Sequence, residues 1–243
     1  MSESRRGELV GRLAAVRERI DAACAAAGRD PGEVALLAVT KTVPASDVAL
    51  LIDLGLTAFG ENRVQEAGSK VDAVAELRPA AEIRWHLVGA LQRNKARAAV
   101  RWADRVESVD SVRLADALDV AVRRAQDAGD RPDPLAVLLQ FSVDGDPQRG
   151  GVPAEGMAPL AEHVAGCAGL RLDGLMTVAP LGMDPERAFA AVAAAAEHLR
   201  AVHPQARTLS AGMSGDLDVA IRHGSDVVRV GTALVGERRI TSQ

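Results

Sequence analysis

The stretch VALLAVTKTVP, residues 34–44, decides the fold of this chain and contains its first reactive candidate. Residues 34–39 are apolar without interruption and are flanked by proline-containing turns, which predicts a strand buried on both faces. Lys41 follows where that strand would end. An ammonium group at the mouth of an apolar strand loses hydration, which favours the free amine, and a free amine condenses with aldehydes. The alternative is a lysine that ends the strand by reaching solvent.

The scarcity of lysine singles out Lys41. The chain has 29 lysines and arginines, and the lysines among them are Lys41, Lys70 and Lys95. Because Lys70 and Lys95 lie in polar, helix-like segments, we expect both to be solvated surface residues.

Composition excludes several classes of protein. The formal net charge of −4 and the pI near 5.8 argue against a broad nucleic-acid surface and against binding to acidic membranes. No run of about 18 apolar residues occurs, so we expect no membrane span. Cys24 and Cys167 have neither metal-ligand spacing nor a disulfide framework around them. Together with a charged N-terminus, they indicate a reducing compartment and a cytoplasmic protein.

Apolar runs alternate with helical patterns along the chain. Residues 9–24 carry apolar side chains at helical spacing and predict an N-terminal helix. The predicted strands lie at 34–39, 58–60, 83–88, 105–108, 135–141, 172–177, 208–211 and 227–230. A helix is predicted at 46–54, with Ser46-Asp47 as its cap, and another follows Arg63 and ends near Leu77. Further helices are predicted at 92–102, 111–129, 153–166, 185–202 and 216–223.

Eight strands that alternate with helices predict a parallel sheet. The length of 243 residues fits a closed (β/α)8 TIM barrel with an extra N-terminal helix. We expect one domain over residues 1–243. A doubly wound open sheet uses the same alternation and is the structural alternative.

The carboxyl ends of the strands form the active face of such a barrel. Gly212 to Gly215 follow strand seven, and Gly231-Thr232 follows strand eight. Both segments offer hydroxyls and backbone amides, and barrel phosphate sites lie after these two strands. An aldehyde-reactive Lys41 and a phosphate site together suggest pyridoxal 5′-phosphate (PLP), with Lys41 holding the aldehyde carbon as an aldimine.

Seven motifs then carry a family resemblance. They are LAVTKT (37–42), FGENRVQE (59–66), WHLVGALQRNK (85–95), SVDS (108–111), GLMT (174–177), LSAGMSGD (209–216) and VRVGTA (228–233). In these motifs, which span nearly the whole chain in order, the sequence resembles the pyridoxal phosphate homeostasis proteins. This YggS/PROSC-type family is related to the N-terminal barrel of alanine racemase.

The resemblance implies roles for particular residues. Lys41 would carry the cofactor, Asn62 would line the pocket near it, and Arg229 would face the pyridine nitrogen. Phosphate would be bound by Ser214, Gly231 and Thr232. The chain departs from the family pattern at Ala90 and Ala211, where the family commonly has histidine and methionine.

The same resemblance also bears on whether the protein is a PLP carrier or a PLP-dependent enzyme. PLP acts as an electron sink when its ring nitrogen is protonated, usually beside a carboxylate. Arginine is always charged and only donates, so Arg229 would keep that nitrogen unprotonated. Alanine racemases tolerate the same arginine but add a tyrosine as second base, and this chain has no tyrosine.

The resemblance therefore favours a PLP carrier with little or no turnover, which serves PLP homeostasis. The expected partners are PLP and apo-enzymes that accept it, and the expected state is a monomer. The alternatives are a PLP-dependent racemase or lyase, and a Schiff-base barrel for another phosphorylated metabolite. We expect no metal.

Other polar residues have ordinary structural interpretations. His86 lies inside an apolar strand and is expected to be a hydrogen-bonded interior residue. Glu61 is expected to close a strand end or to orient its neighbour. Arg93, Arg97 and Arg101 predict the solvated side of a helix, with binding of a partner or a phosphate as the alternative.

Overall fold

The structure is a computed structural model that describes residues 2–41, 43–146 and 149–236. Its strands are β1 (Ala35–Val39), β2 (Ala58–Glu61), β3 (Arg84–Leu87), β4 (Arg105–Val109), β5 (Leu135–Phe141), β6 (Leu170–Thr177), β7 (Thr208–Met213) and β8 (Val227–Val230). Its α-helices are α1 (Ser2–Ala27), α2 (Ala45–Asp53), α3 (Val64–Leu77), α4 (Ala96–Val100), α5 (Val112–Asp127), α6 (Ala154–Ala165), α7 (Pro185–Val202), α8 (Leu217–Arg222) and α9 (Thr232–Val235). Short 3₁₀ helices span Pro31–Glu33 and Arg93–Lys95.

The eight strands close into a parallel barrel in chain order. Each strand pairs with the next, and β1 closes the circle by pairing with β8, with Leu37 opposite Arg229. This confirms the predicted TIM barrel and excludes the open sheet. Because all strands run in the same direction, their carboxyl ends meet at one face of the barrel.

The apolar core lies mainly between the strands and the surrounding helices. One cluster joins α4 to α7 with β3 to β7 and includes Leu118 and Val137, both fully buried. A second cluster joins α1 and α2 with β1, β2 and β8 and includes Leu13 and Val228. All seven residues of β5 are buried, as expected for a strand covered on both faces.

Helix α1 is the predicted extra helix. Its buried side chains recur at helical spacing through Leu9, Leu13, Val16 and Ile20, and its neighbours include α8, α9 and α2. The helix therefore covers the side of the barrel that carries the ends of β7 and β8.

Several boundaries differ from the prediction. Pro44, without a side-chain hydrogen bond, occupies the N-cap of α2, so the predicted Ser46-Asp47 cap is wrong. Strand β7 continues to Met213, two residues beyond its predicted end. The predicted helix 92–102 is a 3₁₀ turn followed by the short helix α4. Helix α9 was not expected.

Strand β1 is less buried than its apolar sequence predicts. Leu37 and Ala38 are fully buried, but Ala35 is exposed and Val39 is partly exposed. Val39 is partly open because it lines a cavity at the carboxyl end of the strand. Within the described ranges, no helix combines the length and the apolar character needed to cross a membrane.

Candidate functional site

A cavity of about 630 Å³ opens at the carboxyl ends of the strands. The residues predicted from the family resemblance all line it: Lys41, Asn62, Ser214, Arg229, Gly231 and Thr232. They come from four separate parts of the chain, and barrel closure brings them together because β8 pairs with β1. Whether they bind a cofactor stays a prediction.

Lys41 lines the cavity and is exposed to solvent. Its side chain is exposed, whereas the preceding Thr40 is fully buried. The burial expected to free the Lys41 amine is therefore wrong, because the apolar part of β1 ends before the lysine. What the structure provides at Lys41 is an accessible amine on the wall of the cavity.

Lys70 is not the solvated surface residue that its polar segment predicts. Its Nζ donates to the Thr40 carbonyl oxygen at 2.7 Å and to Glu61 Oε1 at 2.8 Å. The side chain is only 12% exposed. Thr40 Oγ1 also donates to Glu61 Oε1, at 2.7 Å. Lys70 thus ties β1 to β2 directly behind Lys41, and Glu61 has the predicted structural role at a strand end.

Asn62 is held in position by a glycine on the neighbouring strand connection. A Cβ atom added to Gly89 would lie 2.3 Å from the Asn62 carbonyl oxygen and 2.8 Å from its Cα. Only glycine allows this close approach of two backbones. The Gly89 carbonyl oxygen accepts a hydrogen bond from Ser108 Oγ at 2.7 Å, which fixes it in turn.

The loop after β7 presents unpaired donors to the cavity. Asp216 Oδ1 accepts from the Met213 amide at 2.6 Å, and the Asp216 amide donates to the Met213 carbonyl oxygen. The backbone amides of Ser214 and Gly215 have no hydrogen-bond partner among the described residues. Successive free amides of this kind form a site for an anion.

Helix α1 fixes the same loop from outside. Arg19 Nη1 donates to the Ser214 carbonyl oxygen, and Arg19 Nε donates to Asp218 Oδ1 at 3.0 Å. Arg5, at the other end of the helix, donates to the Val235 carbonyl oxygen at 2.8 Å and pairs with Asp47. The N-terminal helix therefore holds both segments proposed to bind phosphate.

Arg229 forms the charged wall of the cavity. The residue is only 4% exposed. Its Nη1 donates to the carbonyl oxygen and the hydroxyl of Ser210 at 2.7 and 2.9 Å, and Nη2 donates to the Thr177 carbonyl oxygen at 2.5 Å. Burial lowers the pKa of Arg229, and the negative charges of Glu107 and Asp216 oppose that effect. An arginine held in this way stays protonated.

Glu107 is a buried charge that the sequence interpretation missed. Its Oε1 lies 2.7 Å from His86 Nδ1, and its Oε2 accepts from Ser210 Oγ at 2.6 Å. Burial by itself would raise the pKa of Glu107. The hydrogen bond and charge of His86, the charge of Arg229 and the Ser210 hydroxyl together hold that pKa below its ordinary value. His86 is the hydrogen-bonded interior residue that we expected.

A carboxylate inside the strand sequence VESV, residues 106–109, was the available signal for Glu107. A buried charge at such a position destabilises the folded state unless it is paired. The partners could not be found from the sequence, because β4 and β7 are not neighbours and the hydrogen bond from Ser210 crosses the barrel interior.

One group of potential metal ligands lies outside the cavity. Ligand atoms of Asp116, His163 and Cys167 are within 4.8 Å of one another. His163 Nε2 lies 2.7 Å from Asp116 Oδ1, and Cys167 Sγ donates to the His163 carbonyl oxygen at 3.4 Å. These contacts account for the group without an ion, and the absence of a metal stays a prediction.

The cavity fits PLP by its chemistry. It combines an accessible amine for an aldehyde, free amides and hydroxyls for a phosphate, and a buried guanidinium for a ring nitrogen that accepts a hydrogen bond. Its volume is within the range of small-molecule sites.

Comparisons with known proteins agree with this geometry. The family described as alanine racemase, N-terminal domain, matches residues 12–239. A pyridoxal phosphate homeostasis protein from Mycobacterium tuberculosis is 47% identical over 247 residues, which cover 98% of this chain and 96% of the relative. Its counterpart from Escherichia coli is 38% identical and covers 95% of this chain and 97% of its own.

A solved structure is similar over nearly the same length. PipY from Synechococcus elongatus, determined with PLP bound, has a TM-score of 0.79 and 34% sequence identity, covering 94% of this chain and 100% of PipY. Alanine racemase from Corynebacterium glutamicum has a TM-score of 0.64 at 17% identity, with 62% of its own chain covered, which shows the shared barrel fold alone. The chain therefore belongs to the pyridoxal phosphate homeostasis proteins, within the alanine racemase N-terminal domain family.

Proposed function

We propose that this protein binds PLP in the cavity at the strand ends and serves PLP homeostasis with little or no turnover. Lys41 would hold the aldehyde carbon covalently, and Ser214, Gly231 and Thr232 would bind the phosphate. Asn62 would line the pocket beside Lys41. The observation that carries the proposal is that an amine, two residues whose backbone amides have no partner among the described residues, and a buried arginine line one cavity of about 630 Å³.

The proposed orientation follows from the contacts of Arg229. Three of its donor contacts are used within the barrel, and its guanidinium also lines the cavity. A ring nitrogen facing it would accept a hydrogen bond and stay neutral. PLP supplies an electrophilic aldehyde and a ring that withdraws electrons best when protonated. Arg229 would thus permit binding while leaving the ring a weak electron sink.

A covalent-mapping experiment tests the attachment site. Purified protein is loaded with PLP, reduced with borohydride, digested and analysed by mass spectrometry. We expect the pyridoxyl group on Lys41 and no covalent product with Lys41→Ala. Lys70→Ala is the matched control, because the amine of Lys70 is bonded to Glu61 and Thr40 and does not line the cavity. A pyridoxyl group on Lys70 or Lys95 in the wild type would refute the assignment.

A second experiment separates a carrier from a racemase. L-alanine is incubated with the PLP-loaded protein in deuterated water, and exchange of its α-proton is followed by NMR. We expect exchange far slower than about 1 s⁻¹, the lower end of ordinary enzyme turnover. Exchange at that rate or faster would favour the alternative of a PLP-dependent racemase or lyase. Absence of any PLP adduct would favour a barrel for another phosphorylated metabolite.

The proposed partners are PLP and the apo-enzymes that accept it. This part rests on the names of the relatives, which are homeostasis proteins. The test is transfer of PLP from the loaded protein to an apo-enzyme, measured with an excess of a PLP scavenger. A monomer is the expected state, to be checked by light scattering.

A further inference from the structure

A groove of about 1040 Å³ runs between α4 and α5, on the outer side of the barrel. Five arginines line it: Arg93, Arg97, Arg101, Arg124 and Arg131. Two aspartates also line it, Asp116 and Asp130. The groove therefore has an excess of three positive charges in a chain whose formal net charge is −4.

Most of this charge is not neutralised within the protein. Arg93, Arg97, Arg101 and Arg124 are exposed, and none has an acidic partner among the described residues. By contrast, the neighbouring Arg123 on α5 is paired with Asp119. Arg97 and Arg101 are four residues apart, the spacing at which like charges on a helix repel each other.

The floor of the groove is apolar. It is formed by Ala96 and Val100 of α4 and by Ala121 and Ala125 of α5. Val120 also lines the groove and is 40% exposed, although it is a large hydrophobic residue. The two helices thus form a trough with an apolar base and arginines along its edges.

We propose that this groove binds an acidic amphipathic helix of a partner protein. The apolar floor between α4 and α5 is of the kind into which an amphipathic helix inserts its apolar face. Acidic side chains on the flanks of that helix would pair with Arg97 and Arg101 on one side and with Arg124 on the other. The proposal does not depend on the cofactor site.

The lining favours a protein over a nucleic acid. Alanine and valine side chains offer a phosphate backbone no interaction, whereas they bury apolar side chains of a peptide. Asp116 and Asp130 would repel phosphates in the groove. A helical peptide can place alanine or lysine beside these two aspartates and glutamate beside the arginines.

The probe for this proposal is a designed 18-residue helical peptide with leucine and alanine on one face and glutamate on the flanks. Binding to the full-length protein is followed by fluorescence anisotropy at low and at high salt. We expect saturable binding that weakens with salt, because the flanking pairs are exposed. A peptide of the same composition in scrambled order should bind much more weakly, and equal binding of both would refute the proposal.

Two variants locate the site. Arg97→Glu combined with Arg101→Glu should weaken binding by about 10-fold or more, because each reversal replaces an attraction to the acidic peptide with a repulsion. Arg113→Glu is the matched control, since Arg113 is exposed on α5 and does not line the groove. A peptide with lysine in place of glutamate should bind the double variant better than the wild type.

The remaining outcomes contradict the proposal. No binding of the acidic peptide, or equal loss with Arg113→Glu, would show that the groove is not its site. If a duplex DNA or RNA of about 20 base pairs binds more tightly than the peptide and is lost in the double variant, the groove is a nucleic-acid site instead. Thermal unfolding of each variant establishes that the fold is retained.

Discussion

At the scale of single residues, Lys41 and Lys70 differ in the environment of their amines. Lys41 has an accessible amine on the cavity wall, whereas the Lys70 amine donates to Glu61 and Thr40 directly behind it. The polarity of the neighbouring sequence predicted the opposite, namely a desolvated Lys41 and a solvated Lys70. The carboxylate of Glu61 on β2 and the carbonyl oxygen of Thr40 determine the environment of Lys70, which lies on α3, and the Thr40 contact exists only once β1 and β2 are paired.

The phosphate-binding residues give the first prediction. We expect Ser214→Ala and Thr232→Val each to reduce PLP affinity about 10- to 150-fold, because a hydrogen bond to a charged group contributes roughly 1.5–3 kcal/mol. Affinity is measured by equilibrium titration of the visible absorption band. Pyridoxal, which lacks the phosphate, is the control ligand and should bind both variants as it binds the wild type. Equal losses for the two ligands would place the phosphate elsewhere.

At the scale of elements, prediction succeeded where hydrophobicity alone determines an element. β5, α7 and β8 were predicted to the residue because an apolar run, or an alanine-rich segment after Pro185, is bounded by clear turn residues. The end of β7 was missed because Gly212 reads as a turn but continues the strand with a φ of 89°. Helix α9 was missed because a four-residue helix leaves no periodic pattern.

Helix α1 gives the second prediction. Its Arg19 donates to the Ser214 carbonyl oxygen and to Asp218, which orients the loop that would bind phosphate. Arg19→Ala should therefore lower PLP affinity about 2- to 10-fold, the effect of losing one hydrogen bond of roughly 0.5–1.5 kcal/mol. Covalent attachment to Lys41 should persist. Arg17→Ala is the matched control, because Arg17 is exposed on the same helix and has no hydrogen-bond partner among the described residues. Identical titration curves for the two variants would show that α1 does not support the loop.

At the scale of the whole molecule, barrel closure creates what no local pattern contains. The cavity, the hydrogen bond from Lys70 to the Thr40 carbonyl oxygen and the hydrogen bond between Ser210 and Glu107 each join parts of the chain that are distant in sequence. The fold class could be predicted from the alternation of apolar and helical segments, and the family could be recognised from motifs of consecutive residues. The partners of the buried charges could not be predicted, because they are set by the pairing of β3 with β4 and of β7 with β8 and by a contact from β7 to β4 across the barrel. That residues 1–243 form one domain stays a prediction.

Glu107 gives the last prediction, because its contacts cross the barrel and contribute to the stability of the whole fold. Glu107→Gln removes a buried carboxylate that contacts His86 and Ser210 and whose negative charge acts on buried Arg229, and removing one partner from such a buried charged network costs about 3–5 kcal/mol. In a protein of this size, we expect a melting temperature lower by on the order of 10 °C. Glu66→Gln is the control: Glu66 is 56% exposed and pairs with Arg63 on the surface, so its loss should cost about 0–1 kcal/mol.

The pH dependence of the same variant separates charge from packing. The folded pKa of Glu107 is lowered, so its contribution is fully present above the ordinary value of about 4.3 and is lost as pH falls through the folded pKa. Urea unfolding of wild type and Glu107→Gln, measured from about pH 7 to below about pH 4, should give free energies of unfolding that converge in acid. Other carboxylates with lowered pKa values, such as Asp173, are present in both proteins and cancel in the difference. A difference that stays constant into acid would mean that Glu107 acts through its shape and hydrogen bonds, and that its charge does not hold the barrel together around Arg229.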